Sequence, residues 1–512
     1  MTDLALVQSA LALQSATASL RPALAVLVPA LAAVAVLASG SRPNRRESWT
    51  LLAVGVELVV VASLVPDALA GRVAEFSLGS FVTGVPLAVR ADALAVLFAS
   101  VAAVLWGAAS VYSVGYMRGL DEHDQTRYFA AFAASIAATM GVAFAANLLT
   151  LFVAYELLTV ATYPLVAHAG TDEARRSGRK YARYAFGGGV AVLGGTVLVY
   201  LLAGSVSFVP GGLAALTSAD PLLVNAAFGL LAVGFGVKAA VMPLHAWLPD
   251  AMVAPTPVSA LLHAVAVVKS GVFGIARVVL FVFGPEAVRE SALRWPLAGA
   301  AAATMILAGF LALRQDKLKR VLAYSTVSQL SFIVLGLTML TPTAVFGALF
   351  HLVTHAFMKI TAFFCAGTLY VESKVEYVSR MAGIARRHPV TIGTFSVAAA
   401  GLVGVPLVGG FVSEWYLALG TLDGPVPALA AAFWTAAFVK LLFFWPIVST
   451  AVFDSPLESR WSAPDSALSE AAPTLLGPLL FTALVAVLLG IVPTATPFFD
   501  LAEEVVAEVF RP

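Results

Sequence analysis

The feature that most constrains this chain is a succession of long apolar runs, each followed by a short polar segment. A helix that crosses a bilayer needs about 20 predominantly apolar residues. The sequence of 512 residues contains fourteen such runs, which we number helix 1 to helix 14 in chain order. The predicted helices cover residues 22–39, 50–70, 91–113, 128–146, 148–168, 184–204, 222–248, 257–281, 296–314, 320–340, 344–369, 388–420, 427–450 and 471–493. This pattern predicts an all-α polytopic membrane protein.

Composition supports this prediction and excludes several other classes of protein. Hydrophobic residues make up 60% of the chain and charged residues 12%, about half of the charged share in a typical soluble domain. The net charge of +1 gives no indication of a nucleic-acid partner. The sequence has no phosphate-binding loop and no convincing dinucleotide fingerprint, and a single cysteine, Cys365, can build neither a disulfide nor a cysteine metal site. We therefore predict no cofactor, no metal and no enzymatic activity of the chain itself.

Basic residues are concentrated in the odd-numbered loops, where loop 1 joins helices 1 and 2. Those of loops 1, 5, 9 and 11 are Arg42, Arg45, Arg46, Arg175, Arg176, Arg179, Lys180, Arg183, Arg314, Lys317, Lys319, Arg320, Lys374, Arg380, Arg386 and Arg387. Loop 8, with Arg289 and Arg294, is the main exception among the even-numbered loops. Basic loops stay in the cytoplasm. We expect odd-numbered loops in the cytoplasm and both termini outside, in the plasma membrane of a prokaryote; the start, MTDLALVQSALALQ, lacks the basic region of a cleaved signal peptide.

Ionisable residues inside the predicted helices point to the function. A charge at the bilayer centre costs roughly 2.5–3.5 kcal/mol even on the most lenient scale, so these side chains must face the bundle interior, pair with one another or line a hydrated path. Desolvated Glu, Lys and His side chains can exchange protons at accessible pH. We predict that they form a proton relay. Its candidate residues are Glu156, Lys238, His245, His263, Lys269, His351, His355, Lys359, Glu414 and Lys440.

Each candidate also has a structural interpretation. His245 can simply bond a carbonyl that Pro243 has freed, Lys359 can contact a neighbouring helix, and Lys440 can reach the membrane surface if helix 13 is misplaced. Inert buried ion pairs are the alternative for Glu156, Lys238 and Lys269. The histidines have spacings compatible with metal ligation, but no cysteine or carboxylate cluster accompanies them.

The positions of proline and charge suggest an internal repeat. Helices 7 and 12 are long and contain Pro243 and Pro406, so we expect both to be broken. Irregular backbone at membrane depth is tolerated where it lines a cavity, and matching breaks indicate a repeat. Lys269 and Lys440, in helices 8 and 13, are also five helices apart. We predict two five-helix repeats, in residues 128–282 (helices 4–8) and 296–450 (helices 9–13), between an N-terminal region, 1–127, and a C-terminal region, 451–512.

Five stretches occur in an order that resembles a known family. They are LLTLFVAYELLTVATYPL, KAAVMPLHAWLPDAMVAPTPVSALLHAVAVVKSGVFGIAR, DKLKRVLAYSTVSQLSFI, LFHLVTHAFMKITAFFCAG and GVPLVGGFVSEW. Together they resemble the antiporter-like subunits shared by respiratory complex I, membrane-bound hydrogenases and Mrp-type multisubunit cation/proton antiporters, over about residues 90–450. The resemblance implies fourteen helices with two inverted five-helix repeats, and helices 7 and 12 broken.

The resemblance also implies roles for individual residues. Glu156 in helix 5 would pair with Lys238 in helix 7, and opening or closing of this pair would change the proton affinity of Lys269. His263 would accompany Lys269 in helix 8, and His351 and His355 would connect it to the second half. Glu414 would be the terminal carrier, with Lys440 as its partner. Some family members have lysine in place of Glu414, so the carboxylate does not break the pattern.

The assembly to which the chain belongs is left open by its sequence. A compact chain of fourteen helices is most similar to the D-type subunit of Mrp antiporters, with other membrane subunits, the lipid bilayer, protons and sodium as partners. The alternatives are a proton-pumping subunit of a quinone oxidoreductase or membrane-bound hydrogenase, and another assembly such as one that energises inorganic-carbon uptake. A membrane scaffold with vestigial charges is disfavoured by the complete series Glu156, Lys238, Lys269 and Glu414.

Overall fold

A computed structural model of the chain describes residues 16–82, 84–456, 464 and 466–511. Within these residues, 12 helices are long and apolar enough to cross a membrane. Helix 4 is a further helix of 19 residues, and helix 12 consists of two shorter helices. In chain order the fourteen are Arg21–Ala38, Pro43–Ala62, Ala93–Gly119, Gln125–Ala143, Leu148–Val166, Asp172–Ala203, Pro221–Lys238, Thr256–Val282, Arg294–Ala312, Leu318–Met339, Pro342–Ser373, Pro389–Val403 with Gly409–Leu422, Ala430–Phe453 and Pro473–Ile491. The all-α membrane fold predicted from the sequence is confirmed.

Helix 6 begins at Asp172, well before the predicted residue 184. The added turns, DEARRSGRKYAR, are too polar to count toward a membrane span. They are helical because Thr171 caps them, its hydroxyl accepting a hydrogen bond of 3.1 Å from the backbone amide of Ala174. Hydropathy therefore locates the membrane-embedded part of this helix but not its start.

Both predicted breaks are present. Helix 7 ends at Lys238, and the chain from 239 to 246, which includes Pro243, is irregular before the short turns Trp247–Asp250 and Ala251–Val253. Helix 12 is interrupted at 404–408, around Pro406. Helix 8 contains two π-helical turns, Leu261–Val265 and Val278–Val282, that the sequence analysis missed. Such turns are frequent at functional sites.

The loops gather at two opposite ends of the bundle. At one end, which we call the odd face, Asp250 of loop 7 lies 2.6 Å from Lys180 of helix 6 and 3.9 Å from Arg320 of helix 10. At the other, the even face, Arg90 of loop 2 donates to the carbonyl of Phe208 in loop 6 at 3.1 Å. Since successive helices alternate direction, a repeat of five helices is followed by one that starts from the opposite face. Helices 4–8 and 9–13 are thus inverted, each with its break in the fourth helix.

The even face carries elements that the sequence analysis did not predict. Strands β1 (Ala16–Ala18), β2 (Val73–Val82) and β3 (Val85–Ala91) form a small sheet in which β1 and β2 are parallel and β2 and β3 antiparallel. A C-terminal helix, Pro497–Phe510, follows helix 14 and packs against helices 3 and 11. Both ends of the described chain therefore lie at the even face.

The remaining short helices, in loops throughout the chain, are Val65–Leu69, Ala214–Leu216, Gly284–Glu290, Val378–Arg380, Ile384–Arg386, Pro427–Leu429, Ala467–Ser469 and Pro493–Ala495.

A buried ion pair joins the N-terminal helices to the first repeat. Asp92 caps helix 3 by accepting 2.8 Å from the amide of Ala95, and its two oxygens accept from Arg277 of helix 8 at 2.7 and 2.8 Å. The Arg277 guanidinium is fully buried and packs against three phenylalanine rings. Removing one partner of such a pair leaves an uncompensated charge in the interior.

We expect Asp92→Ala to destabilise the protein by about 3–5 kcal/mol, because Arg277 loses its counter-ion. Asp220→Ala is the matched control, since Asp220 caps helix 7 in the same way but is exposed; the loss of a cap alone costs about 1 kcal/mol. Thermal unfolding in detergent measures both. Equal shifts in the unfolding temperature would show that the ion pair contributes nothing beyond the cap.

Candidate functional site

Lys238 stands at the end of the first half of helix 7, where the chain leaves the helix. Its side chain is fully buried. The Nζ atom donates to the backbone carbonyl of Tyr155 in helix 5 and lies 3.3 Å from the centroid of the Tyr155 ring. The break itself is fixed by Trp247, whose indole Nε1 donates 2.8 Å to the carbonyl of Val237. An ammonium group held against a carbonyl and a π face is stabilised without a carboxylate.

Glu156 follows Tyr155 in helix 5 and is half-buried. Its Oε1 atom is buried and accepts no hydrogen bond from the residues that the structure describes. The carboxylate lies against Gly189 of helix 6, where a Cβ atom would overlap Oε1. The expected ion pair between Glu156 and Lys238 is not formed in this structure, because Lys238 contacts the Tyr155 carbonyl instead.

Lys269 connects helix 8 to helix 11. Its fully buried Nζ atom lies 2.9 Å from the carbonyl oxygen of Leu352 and 2.9 Å from Nδ1 of His355. Nδ1 accepts from the lysine, which places the proton of neutral His355 on Nε2. Nε2 has no partner among the described residues, so it is free to pass its proton on.

His351 lies one turn before His355 on the same face of helix 11, as the spacing of four residues predicted. The centroids of the two rings are 5.9 Å apart. His351 Nε2 lies 2.8 Å from Oε1 of Gln329 and Nδ1 lies 2.9 Å from the hydroxyl of Ser413. The Gln329 amide nitrogen donates 2.7 Å to the carbonyl of Leu402. Its Oε1 must therefore accept from His351, which leaves Nδ1 as the basic nitrogen of the neutral ring.

Glu414 and Lys440 form the ion pair that the sequence analysis expected. Lys440 Nζ lies 2.6 Å from Glu414 Oε1, and the Gln329 amide nitrogen lies 3.4 Å from the same oxygen. Lys440 also lies 4.4 Å from the centroid of the Phe332 ring. Gln329 thus touches both His351 and Glu414. It cannot carry a proton itself, but it fixes the distance between two groups that can.

The other candidate residues lie outside this chain of contacts. Lys359 donates 2.9 Å to the hydroxyl of Ser325 in helix 10. His263 lies in the first π-helical turn of helix 8, with its ring 4.9 Å from that of Phe363, and its ring nitrogens have no partner in the described part of the chain. His245 lies in the break of helix 7, half-buried. No hydrogen bond between described residues joins these three to Lys269.

Six residues therefore make a polar line through helices 8, 11, 10, 12 and 13. We call it the central polar line; its members are Lys269, His355, His351, Gln329, Glu414 and Lys440. The one gap wider than a hydrogen bond lies between the two histidine rings. A single bridging water is the ordinary way to connect polar groups across such a gap.

The break after Lys238 contacts the helix that carries Lys269. Gly271 of helix 8, two residues after Lys269, lies against the backbone of Ala239, where a Cβ atom would overlap the Ala239 amide. The break that begins after Lys238 therefore touches the helix that carries Lys269.

Sequence reasoning missed three buried polar residues, two in the central region and one in helix 2. Gln329 and Ser413 were passed over because neither carries a charge, although both lie within apolar runs and a buried amide or hydroxyl also needs a partner. Glu57, within helix 2, is fully buried, and neither of its carboxylate oxygens has a partner in the described chain. The sequence VGVELVVVA around Glu57 could have indicated this residue, since placing a single carboxylate in an apolar membrane helix costs free energy.

A bundle of membrane helices with two broken helices and a buried line of Lys, His and Glu defines the class of ion-translocating membrane proteins. The sequence family described as NADH:quinone oxidoreductase/Mrp antiporter, TM matches residues 145–439, more than half of the chain. The chain belongs to this family, and it is an antiporter-like membrane subunit.

Individual relatives come from both branches of the family. NADH-quinone oxidoreductase subunit N of Desulforudis audaxviator is 34% identical over 351 residues, which cover 67% of this chain and 68% of the relative. A probable K(+)/H(+) antiporter subunit of Rhizobium meliloti is 31% identical over 89% of this chain, but this chain spans only 45% of its length. A chain of the Mrp complex from Dietzia sp. has the same fold, with a TM-score of 0.84 at 22% identity over 96% of this chain and 98% of that one.

We expect Gln329→Leu to lower the stability by about 1–3 kcal/mol, because His351 Nε2 and the Leu402 carbonyl lose their buried partner. Ser331→Ala is the control on the same helix, since the Ser331 hydroxyl bonds only the Val327 carbonyl of its own helix. Thermal unfolding of the full chain in detergent measures both shifts. A Gln329→Leu protein as stable as the control would show that Gln329 does not hold the central polar line together.

Proposed function

We propose that this chain is the proton-translocating subunit of a multisubunit Mrp-type monovalent cation (sodium)/proton antiporter. The observation that carries the proposal is the central polar line. It joins Lys269 to Lys440 through hydrogen bonds, except between His355 and His351, whose ring centroids are 5.9 Å apart. Burying ionisable groups in a membrane costs free energy, and a protein that only scaffolds others would gain nothing from them. Other membrane subunits of the antiporter are the proposed partners, and the residue ranges 128–282 and 296–450 are the proposed translocating repeats.

In the proposed mechanism the protonation of Lys269 is the central event. A proton on Lys269 is passed to His355 Nδ1, and the proton already on Nε2 leaves toward His351. His351 accepts at Nδ1, the nitrogen that faces Ser413. Charge on His351 then favours release of its Nε2 proton toward Glu414 through a water beside Gln329, since the amide cannot carry the proton, and Lys440 keeps the carboxylate of Glu414 ionised until the proton arrives. Each histidine is left with its proton on the opposite ring nitrogen, so the ring must turn to restore the starting tautomer before the next proton is carried.

Glu156 and Lys238 are the proposed control of this path. In this structure Glu156 is unpaired and Lys238 contacts the Tyr155 carbonyl. Movement of Lys238 toward Glu156 would draw positive charge away from Lys269 and shift the break that touches Gly271. Lys269 would then bind a proton more readily, and return of Lys238 would expel it. We place His263, Lys359 and His245 beside this path as further proton-exchanging groups.

The basic odd face supports the proposed orientation. Loops 1, 5, 9 and 11, which carry most of the basic residues, belong to this face, and basic loops remain in the cytoplasm. Both termini would then lie outside the plasma membrane of a prokaryotic cell. Protons would enter from the cytoplasmic side or leave to it, depending on the cation gradient.

A second function, the proton-pumping subunit of a complex I-like quinone oxidoreductase or membrane-bound hydrogenase, is favoured by one comparison. The quinone oxidoreductase relative from Desulforudis audaxviator matches over 68% of its own length, while the antiporter relative from Rhizobium meliloti matches over 45%. The chemistry of this chain would be the same in both assemblies, because the energy source would lie in other subunits.

The two functions differ in what drives proton movement in everted vesicles that contain the whole assembly. We expect added sodium or potassium to dissipate an imposed proton gradient, reported by a pH-sensitive dye, and Lys269→Ala to abolish the response. Lys317→Ala is the control, because Lys317 is an exposed lysine of the odd face. Acidification driven by an electron donor, with no cation response, would support the redox pump. Full activity of an assembled Lys269→Ala protein would exclude the relay in either case.

A second prediction concerns the space around Glu156. We expect Gly189→Ala to reduce proton movement at least about tenfold, the scale of one lost 1.4 kcal/mol interaction, because the added methyl group displaces the Glu156 carboxylate. Gly187→Ala is the matched control on the same helix, since a Cβ atom there meets nothing within 4 Å. The same vesicle assay measures both variants. Equal activity would show that the position of Glu156 does not matter for transport.

A further inference from the structure

The odd face carries a second group of ionisable residues, distant in sequence from the central polar line. Glu122 and His123 lie in loop 3, between helices 3 and 4, and His168 follows the end of helix 5. One nitrogen or oxygen atom from each residue lies within 4.8 Å of the corresponding atoms of the other two. Among the described residues, they form a set of two imidazoles and one carboxylate around a common point.

The distances within this set are close to those of a metal site. Glu122 Oε2 lies 3.6 Å from His123 Nδ1 and 4.0 Å from His168 Nε2. Zn²⁺ binds nitrogen and carboxylate oxygen at about 2.0–2.2 Å, which puts the ligands of a tetrahedral site roughly 3.3 Å apart. The two distances to Glu122 must shorten by about 0.3 and 0.7 Å, and the two imidazole nitrogens, within 4.8 Å of each other, by up to about 1.5 Å. The rings of His123 and His168 are stacked with centroids 4.7 Å apart, so one ring must also turn for both nitrogens to face the ion. Loop 3 can supply this movement, since Glu122 and His123 are not part of a helix.

The tautomer of His123 is already that of a ligand. Its Nε2 lies 3.0 Å from the backbone carbonyl oxygen of His168, so Nε2 carries the hydrogen and donates it. Nδ1 then has a free lone pair and faces Glu122. A metal-bound histidine usually donates its other ring N–H to a carbonyl or carboxylate in this way.

His168 packs against the rings of His123 and Tyr128, with centroids 4.7 and 5.6 Å away, but its ring nitrogens are left without a polar partner among the described residues. Only 1% of its surface is exposed, and neither ring nitrogen has a hydrogen-bond partner in the described chain. Leaving a polar atom buried and unpaired costs roughly 1–3 kcal/mol.

Local charge also favours a cation at this position. Loop 3 contains the carboxylates of Asp121, Glu122 and Asp124. Arg127 lies 3.1 Å from Asp124 and is paired with it. Asp121 and Glu122 form no ion pair with a lysine or arginine among the described residues, while the basic side chains of the adjacent cavity belong to Arg176, Lys180, Lys317, Lys319 and Arg320.

We propose that Glu122, His123 and His168 bind a divalent transition-metal ion, of which Zn²⁺ best suits two imidazoles and a carboxylate with a fourth position for water. Glu122 and His168 also line a cavity of about 630 Å³ at the odd face, together with Lys180, Asp250 and Lys319. A bound ion would tie loop 3 to the end of helix 5, the helix that carries Glu156. We also infer that the ion slows proton movement by restraining helix 5 at the rim of the cavity. This part of the inference rests on the proposed function.

Binding is tested with the full chain in detergent, titrated with Zn²⁺ in a calorimeter and with Co²⁺ followed by its visible absorption. We expect one ion per chain. His123→Ala should weaken binding at least about tenfold, because losing even a residue that only hydrogen-bonds to a metal ligand lowers the affinity by about that factor. His388→Gln is the control, because His388 is another buried histidine with an unpartnered ring nitrogen but lies outside the set. His123 is exposed, so its variant is expected to fold, and Glu122→Gln provides a second surface variant.

Unchanged binding in both His123→Ala and Glu122→Gln, or an equal loss in His388→Gln, would overturn the site. The effect on transport is a separate measurement in vesicles containing the whole assembly. Micromolar Zn²⁺ should slow proton movement in the wild type and not in His123→Ala. If the ion binds without slowing proton movement, the restraint of helix 5 is refuted but the metal site stands. If the protein is not an antiporter, the calorimetric test of metal binding is unaffected.

Discussion

Removing a lysine from water inside a membrane is the constraint on which the rest of this structure depends. Among the described residues, four membrane lysines are fully buried, and each has an acceptor within the protein. Lys238 has the Tyr155 carbonyl, Lys269 the Leu352 carbonyl and His355, and Lys359 the Ser325 hydroxyl. Of these four, only Lys440 has a carboxylate. A lysine whose partners are neutral can lose its proton without leaving an unpaired buried anion, which is what a proton carrier needs and what an inert ion pair prevents.

The two broken helices follow from the same constraint. An intact α-helix bonds nearly all of its own carbonyls and amides and so offers little to a buried side chain. The break after Lys238 and the break before Glu414 free backbone groups at membrane depth, and both are stabilised by their neighbours. Leu402, at the end of the first half of helix 12, shows this directly, since its carbonyl accepts from Gln329 at 2.7 Å. Gln329 is held there, and it in turn orients His351.

Much of this architecture could be predicted from the sequence because apolar length and proline are local signals. The order of the fourteen helices and the breaks at Pro243 and Pro406 required no knowledge of packing. The contact of Lys440 with Glu414 was also expected, and the stripe of His351 and His355 followed from helical periodicity. The sheet β1–β3 was missed, since a search for apolar runs long enough to span a membrane does not detect strands of 3 to 10 residues. The π-helical turn around His263 was missed because it has no sequence signature that we recognise.

The path through the site was less predictable, because it depends on which polar atoms packing brings together. Gln329 is uncharged and is not found by a search for ionisable residues, yet it contacts both His351 and Glu414. Conversely, the family resemblance implied that Glu156 and Lys238 are partners, and the tertiary structure gives Lys238 a backbone carbonyl in the same helix as Glu156. A one-residue difference along helix 5 decides between a salt bridge and a carbonyl contact. Sequence patterns cannot resolve that difference, since both arrangements place the lysine against the same turn.

The exposure of Glu156 finally bears on whether this chain works alone. Glu156 is half-buried while Lys238, Lys269 and Lys440 are fully buried, and its neighbours Leu157 and Val160 are exposed on the outside of the bundle. In isolation, such a carboxylate would border lipid, where a charge is costly. Gly189 keeps the space beside it open instead of covering it with a side chain. A neighbouring membrane protein of the same assembly, or water held between the two, would complete the surroundings of Glu156, and this requirement supports a role in a multisubunit assembly.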